Sequence, residues 1–470
     1  MSLADKNLVT IDDLSNGEIE ALFSLTDEIS ESINKQSGVC QGKIMASLFF
    51  EPSTRTRLSF EAAMHRLGGR VISAVDIGAT SLAKGESIAD MARVVGSYAD
   101  IIVIRHPWEG AAKVVADYAG VPVINAGDGS HEHPTQTLCD LYTIRKERQS
   151  IKGLKIALWG DLKHGRTIHS LIYALARFGA TILFRPSPGL EIPEHVLRRL
   201  TTEYKGELKK YKALDQEVKE GHLPLNAIYT TPSSPHQLAM LPDISIQVEL
   251  QKGIDALYVT RLQKERLAPM TEGEELNKGY AVVDKKLLKG KEFEKALVMH
   301  PLPRVDELAY EMDADPRSMY FRQAACGVPV RMALMASLLG TREITISQED
   351  NSFTKPADYH IYRRDTGVKC PNVSCVSNQE TEVRYIKPEF KIVSIKPLTL
   401  RCVYCEHELH PQYIASSDWH EGRLESKKYH RADSRWIRRI KPENLIIFNS
   451  DSEAQAWGFK PSDFVTQHND

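Results

Sequence analysis

Between residues 44 and 145, short β-branched runs alternate with longer helical stretches, and no other feature restricts the fold of this chain so strongly. KIMASLFF is followed by TRTRLSFEAAMHRLGG, RVISAVD by ESIADMARVVGSYA, DIIVIRH by EGAAKVVADYAG, and VPVINAG by HPTQTLCDLYTIRKER. Parallel strands need a crossover between them, and a helix is the usual one, so this alternation predicts a parallel sheet covered by helices. A second series begins near 154 with LKIALWGDL, GRTIHSLIYALARFG and ATILFRPS, and resumes with DALYVTR, KALVMHPLPR and VPVRMALMASLLG. The expectation is an α/β protein with two parallel-sheet domains at 1–148 and 149–327, the first completed by a helix near 328–340. Ligands of open α/β sheets sit beyond the carboxyl ends of the strands, which directs attention to EPSTRTR, RHPWEG and GDLKHGR.

From 341 to 366 the periodicity gives way to polar residues, the signature of a linker, and from 367 to 470 the chain is strand-like in TEVRYI, EFKIVSI and LTLRCVYC. The 60 Lys and Arg against 62 Asp and Glu leave no global field to attract nucleic acid or an anionic membrane. No apolar run approaches the ~20 residues that cross a bilayer, and MSLADKNLVTIDDL lacks the charge and apolar core of a leader. A cytoplasmic protein without a membrane partner is expected.

Four of the seven cysteines crowd together. Cys370-x4-Cys375 and, twenty-six residues later, Cys402-x2-Cys405 have the paired spacing that grips one tetrahedral ion through four thiolates. One structural Zn2+ per chain is expected, in a small β-rich zinc domain with no coordination position left for chemistry. Cys40, Cys139 and Cys326 read as buried thiols. No organic cofactor is expected.

Glu51-Pro52-Ser53-Thr54-Arg55-Thr56-Arg57 lies between a predicted strand and a predicted helix. Unpaired N–H groups at a helix start, two kinds of hydroxyl and a guanidinium together suit a phosphate. The plainer alternative is a helix capped by Ser or Thr with its arginines in solvent.

In fixed order with this segment stand Thr80-Ser81-Leu82-Ala83-Lys84-Gly85-Glu86, Arg105-His106-Pro107, His133-Pro134-Thr135-Gln136, Gly160-Asp161-Leu162-Lys163-His164-Gly165-Arg166 and His300-Pro301-Leu302-Pro303-Arg304. Together they resemble the aspartate carbamoyltransferases over residues 5 to 340. The resemblance implies the carbamoyltransferase fold and transfer of the carbamoyl group of carbamoyl phosphate to the amine of L-aspartate, within pyrimidine synthesis. It implies phosphate contacts from Ser53, Thr54, Arg55, Thr56 and Arg105, and Ser81 and Lys84 supplied by a neighbouring subunit of a catalytic trimer. Thr56, Arg105 and His133 would stabilise the negative carbonyl oxygen, and Gln136 with the carbonyls of Leu302 and Pro303 would hold the carbamoyl NH2. Arg166, Arg261, Gln263 and Lys84 would receive aspartate, while Glu51 would pair with Arg166 and Arg266 as the domains close. Ornithine enzymes share the first motif but typically carry Cys where Pro301 stands, which favours aspartate. The stretch from 195 to 253 is longer than the family's usual spacing.

Lys369-Cys370-Pro371-Asn372 and Arg401-Cys402-Val403-Tyr404-Cys405-Glu406 also resemble the zinc domain of the family's separate regulatory chain. That chain's nucleotide-binding domain has no counterpart, so the expected role of the fused unit is to stabilise or join trimers. Beyond 410, Arg423, Lys427, Lys428, Arg431, Arg435 and further basic residues interleave with Tyr429 and Trp436. A solvated face or subunit contact is expected there, not nucleic acid. The competing readings are carbamoyl transfer to another amine such as ornithine, and a nucleic-acid-binding or assembly protein on this scaffold.

Overall fold

The computed structural model describes the chain outside residues 1, 76–79, 153–154, 161–165, 180, 187–191, 205–207, 210–226, 232–255, 260–282, 290–293, 295–296, 305–307, 347–358, 365–366, 381–384, 419–426, 463–464 and 466–470. For some residues, Ser81 and Arg166 among them, it describes the backbone only. The described chain forms two compact units, one of residues 1–75, 98–105 and 121–355, the other of 76–97, 106–120 and 356–470.

In the first unit, helix α1 (Asn16–Glu31) begins in a reciprocal cap: Ser15 accepts from the Glu18 N–H, and the Glu18 carboxylate accepts from the Ser15 N–H. Strand β1 (Ile44–Phe49) pairs in parallel with β2 (Arg70–Val75) on one side and β3 (Ile101–His106) on the other, and β4 (Val123–Asp128) completes the order β2-β1-β3-β4. The apolar runs of β1 and β3 are buried almost throughout, whereas β2 is an edge strand with Ile72 and Val75 exposed. Helix α2 (Thr54–Arg66) follows β1, and its Glu61 accepts from Ser47 of β1 and Ser73 of β2. Helices α3 (Ile88–Gly96) and α4 (Ala111–Tyr118) belong to the second unit, and α5 (Pro134–Arg148) follows β4 with Pro134 in its first turn.

The second sheet is also wholly parallel. Strands β5 (Lys155–Gly160), β6 (Thr181–Pro186), β7 (Leu208–Lys209), β8 (Ala227–Thr231), β9 (Ala256–Val259) and β10 (Leu297–Met299) lie in the order β10-β9-β8-β5-β6-β7. Helices α6 (Arg166–Arg177) and α7 (Glu194–Glu203) belong with it. The long helix α8 (Tyr320–Leu338) starts before the apolar run at 328 that announces it, and it packs on α1, α2 and α5. Its Arg331 donates to Ser59 at 3.0 Å and lies over the Phe60 ring, which fixes α8 against α2.

A buried ionic knot joins the N-terminal turn to the helices of the second sheet. Asp12 accepts from Arg177 of α6 at 3.2 Å and also from Arg199 of α7 and Tyr204. Arg177 donates further to the Ile11 carbonyl, and Arg199 reaches Glu203 and lies over the Tyr173 ring. Both guanidiniums are almost wholly buried, so Asp12→Ala would take a carboxylate from each, leaving Arg177 with backbone carbonyls and Asn16 and Arg199 with Glu203. We expect a loss of about 3–5 kcal/mol, read as a lower urea midpoint. A loss below about 1 kcal/mol would show that Glu203 and the carbonyls neutralise both arginines.

The second unit holds α3, α4 and two small sheets. Strands β11 (Ile361–Tyr362), β12 (Phe390–Ile395), β13 (Leu398–Cys402) and β14 (Glu408–Leu409) form an antiparallel sheet in chain order. Tyr385 and Ile386, expected to end a strand, are not in one, and β11 falls inside the stretch expected as linker. Strands β15 (Tyr413–Ser416), β16 (Lys428–Arg431), β17 (Leu445–Phe448) and β18 (Lys460–Pro461) form the order β17-β15-β16-β18. Tyr429, Ile446, Phe448 and Phe459 make a separate core on it, which is where the apolar residues of the tail pack.

Candidate active site

Helix α2 starts at Thr54, and the Ser53 side chain makes no capping hydrogen bond to it. The first-turn N–H groups therefore keep the capacity of a helix N-terminus for an anion, and the capped-helix alternative fails at Ser53. Ser53 and Thr56 are half-buried, while Thr54 and Arg55 are exposed.

Arg105 comes from the carboxyl end of β3. It is 5% exposed and donates to the Ala126 carbonyl and to Glu51, both at 3.2 Å. Glu51 is thus paired with Arg105 in this structure. Arg266 lies outside the described residues, and of Arg166 only the backbone is described.

His133 is the N-cap of α5, and its Nδ1 accepts the Gln136 backbone N–H at 3.4 Å. An acceptor nitrogen carries no proton, so in the neutral ring the proton sits on Nε2. Arg105 and His133 meet at Gly127: a Cβ there would stand 3.0 Å from Arg105 Nη1 and 3.4 Å from His133 Cδ2. With φ at +117° as well, this position of β4 is suited to glycine.

A hydrogen-bonded chain links the other expected residues. Gln136 Nε2 donates to Asp140 Oδ1 at 2.9 Å, and Gln323 Nε2 of α8 donates to the same oxygen at 3.3 Å. Gln323 Oε1 accepts the His300 N–H, and His300 Nδ1 accepts the Leu302 N–H at 2.7 Å. Leu302 has φ +53° and precedes a cis Pro303. A third contact runs from the His133 N–H to Ser170 Oγ, which itself donates to Glu132 at 2.6 Å. Ser170 lies one helical turn beyond Arg166, so it ties the start of α6 to the start of α5.

The structure thus brings Glu51, Arg105, His133 and Gln136 into one connected region with the Leu302–Pro303 turn. Ser81 and Lys84 are in the second unit, where Lys84 is exposed at the end of the turn Ser81–Lys84. Arg261 and Gln263 lie outside the described residues, as does most of 195–253. Asp140, Ser170, Gln323 and Gly127 escaped the sequence reading. Only Asp140 left a signal, four residues after Gln136 on one helix face.

In the second unit the sulfurs of Cys370, Cys375, Cys402 and Cys405 all lie within 4.8 Å of one another, with 3.4 Å between Cys370 and Cys405 and 3.8 Å between Cys375 and Cys402. Tetrahedral Zn–S bonds of about 2.3 Å place sulfurs roughly 3.8 Å apart, so the four fit one such ion. Around this site the loop after β3 is clasped: the Glu109 N–H donates to the Ser374 carbonyl, the Val376 N–H to the Glu109 carbonyl, and Asn372 to the Glu109 carboxylate at 2.6 Å. Gly110, with φ +86°, lies against Tyr404, where a side chain would clash with its backbone. Arg93 of α3 lies 4.7 Å from the rings of both Tyr118 and Tyr385.

Residues 6–146 match the family model described as aspartate/ornithine carbamoyltransferase, carbamoyl-P binding domain, and 236–338 match its Asp/Orn binding domain. Fold and site thus define the carbamoyltransferase class. Residues 364–415 match the metal binding domain of the aspartate carbamoyltransferase regulatory chain. The aspartate carbamoyltransferase catalytic subunit of Clostridium perfringens is 44% identical over 339 residues, covering 72% of this chain and 99% of the relative, and that of Thermoplasma acidophilum is 44% identical over 340 residues with the same coverage. The catalytic subunit of M. jannaschii aspartate transcarbamoylase superposes with TM-score 0.57 at 42% identity over 71% of this chain and 98% of its own. The Trypanosoma cruzi enzyme in complex with carbamoyl phosphate and aspartate gives 0.57 at 37% identity, over 72% and 98%. The chain belongs to the aspartate carbamoyltransferase family, with a domain like that of the regulatory chain's metal-binding part fused behind the catalytic part.

Proposed function

We propose that the chain transfers the carbamoyl group of carbamoyl phosphate to the α-amine of L-aspartate, giving N-carbamoyl-L-aspartate and phosphate for pyrimidine synthesis. The observation that carries this reading is the convergence of Arg105 and His133, whose Nδ1 accepts the Gln136 N–H, around Gly127, with Arg105 also paired to Glu51 just before α2. The phosphate lies at that helix start against Ser53, Thr54, Arg55, Thr56 and Arg105. Thr56, Arg105 and the His133 Nε2–H donate to the carbonyl oxygen, which gains charge as the amine attacks. Gln136 and the carbonyls of Leu302 and Pro303 hold the carbamoyl NH2. Asp140 accepts from the Gln136 side-chain amide and so orients it, and through Gln323 and His300 the same network sets the Leu302 turn.

Arg166, Arg261 and Gln263 receive the aspartate carboxylates. The amine nitrogen forms the new C–N bond, the C–O bond to phosphate breaks, and the departing phosphate takes the amine proton. Lys84 and Ser81 enter from a neighbouring subunit. A trimer is supported by exposed Leu58, Ile72 and Val75 on α2 and the β2 edge, apolar surface that a second copy would cover. Closure pairs Glu51 with Arg166 and Arg266 in place of Arg105.

The four cysteines would hold one structural Zn2+, the role of the domain being to stabilise or join trimers, and the clasp on Glu109 ties it to the loop after β3. Among the described residues no helix is long and apolar enough to cross a membrane, which accords with a cytoplasmic enzyme. The test is ureido product formation by the zinc-loaded protein with carbamoyl phosphate and either L-aspartate or L-ornithine. Product is expected with aspartate alone; product with ornithine alone would overturn the specificity assigned to Pro301 and Arg261.

A further inference from the structure

Residues beyond 415 lie past the last of the three matched segments, and they build β16, β17 and β18 onto β15 with a core of their own making around Tyr429 and Phe448. Residues 427–441 carry seven Lys and Arg against one acidic residue, Asp433, in a chain whose formal net charge is −2. The only carboxylate of the stretch is already engaged: Asp433 pairs with Arg431 at 3.0 Å.

The turn Arg435–Arg438 is pinned from below by buried Ile437 and by Trp436, which stacks on His430 of β16 at 4.9 Å between ring centroids. The Arg439 guanidinium lies 4.9 Å from the same indole. A cation held over a ring loses little freedom on meeting an anion, so this surface is preorganised. Arg435, Arg438, Arg439 and Lys441 are all exposed.

We propose that this face binds the phosphodiester backbone of nucleic acid. Protein interfaces are anchored by large apolar or aromatic side chains at their centre, and a bilayer contact needs residues to insert. Among the described residues, the exposed large hydrophobic side chains include none from 427–441. A face of exposed guanidiniums, one of them held over an indole, with Trp457 beside Lys427 as the one exposed large ring near it among the described residues, suits a regularly charged, strongly hydrated polyanion. This proposal departs from the sequence-based expectation of a solvated face or subunit contact.

The test uses the full-length, zinc-loaded protein and a labelled single-stranded 20-nucleotide probe of mixed sequence, about that length being enough to span the face. Polyglutamate and vesicles of anionic lipid serve as competitors. Binding is expected to weaken with salt and to resist both competitors. In R438A/R439A affinity should fall at least about tenfold, and the slope of log K against log salt should lessen by about 1.4, or 0.7 per lost phosphate contact. An unchanged melting temperature and zinc content would show the variant folded. The proposal is overturned by absent binding at low salt, by a folded variant that binds as well as the parent, or by either competitor displacing the probe at equal charge.

Discussion

Arg105→Ala is expected to lower kcat with carbamoyl phosphate and L-aspartate by about 10²- to 10³-fold, the usual cost of losing one donor to a developing oxyanion. The guanidinium is nearly buried and held by the Ala126 carbonyl and Glu51, so neither water nor a neighbouring side chain can take its place with the same geometry. His133 would remain beside Gly127 and account for the residual rate. A variant with kcat within tenfold of the parent and only a raised carbamoyl phosphate KM would mean that Arg105 binds substrate and transition state equally. Circular dichroism must first show that the Glu51 carboxylate, left without this partner, has not disturbed β3.

Removing the metal should have the second large effect, on structure. Structural Zn2+ contributes about 10–16 kcal/mol of apparent binding free energy in small zinc-finger peptides, far more than the short strands of β11 to β14 can offer. Stripping it with a chelator at neutral pH is expected to release one Zn2+ per chain and to open residues 359–418 to protease. The parallel sheets of the first unit should stay resistant. An unchanged cleavage pattern in metal-free protein would show that the Glu109 clasp and the aromatic contacts hold the domain unaided.

What the sequence disclosed follows the range of the forces involved. Both parallel sheets were legible because alternation is local, and so was the metal site, because its ligands come in close pairs. The strand-to-helix junction before α2 was legible from its sequence, although the missing Ser53 cap could only be seen in the fold. Tyr385 and Ile386 have strand-like composition but lie outside the ladder, for which composition alone is no guide. Helix α8 begins early because Tyr320 and Gln323 are held by groups distant in sequence, as in the Gln323 contact with Asp140. Ser170 and Gln323 meet partners far away in sequence, His133 and Asp140, and one sequence carries no mark of such pairing; only Asp140, one turn after Gln136 on α5, could have been found. The apolar residues at 445–448 could be expected to pack, but neither that they form a strand nor that its partner is β15 was legible.

The clasp between Glu109 and residues 372–376 also bears on how the protein behaves in a dilute cell. Were the metal-binding part a separate molecule, such a contact would be an encounter between chains and would fall away on dilution. Here both sides belong to one polypeptide, and a tether imposes an effective concentration on the order of millimolar whatever the protein's abundance. The metal-binding part is made in equal number with the catalytic part, and neither can lose the other. A weakened clasp would reopen and close again within the same chain, so substitutions at Asn372 or Tyr385 should be far better tolerated than the same changes between separate chains.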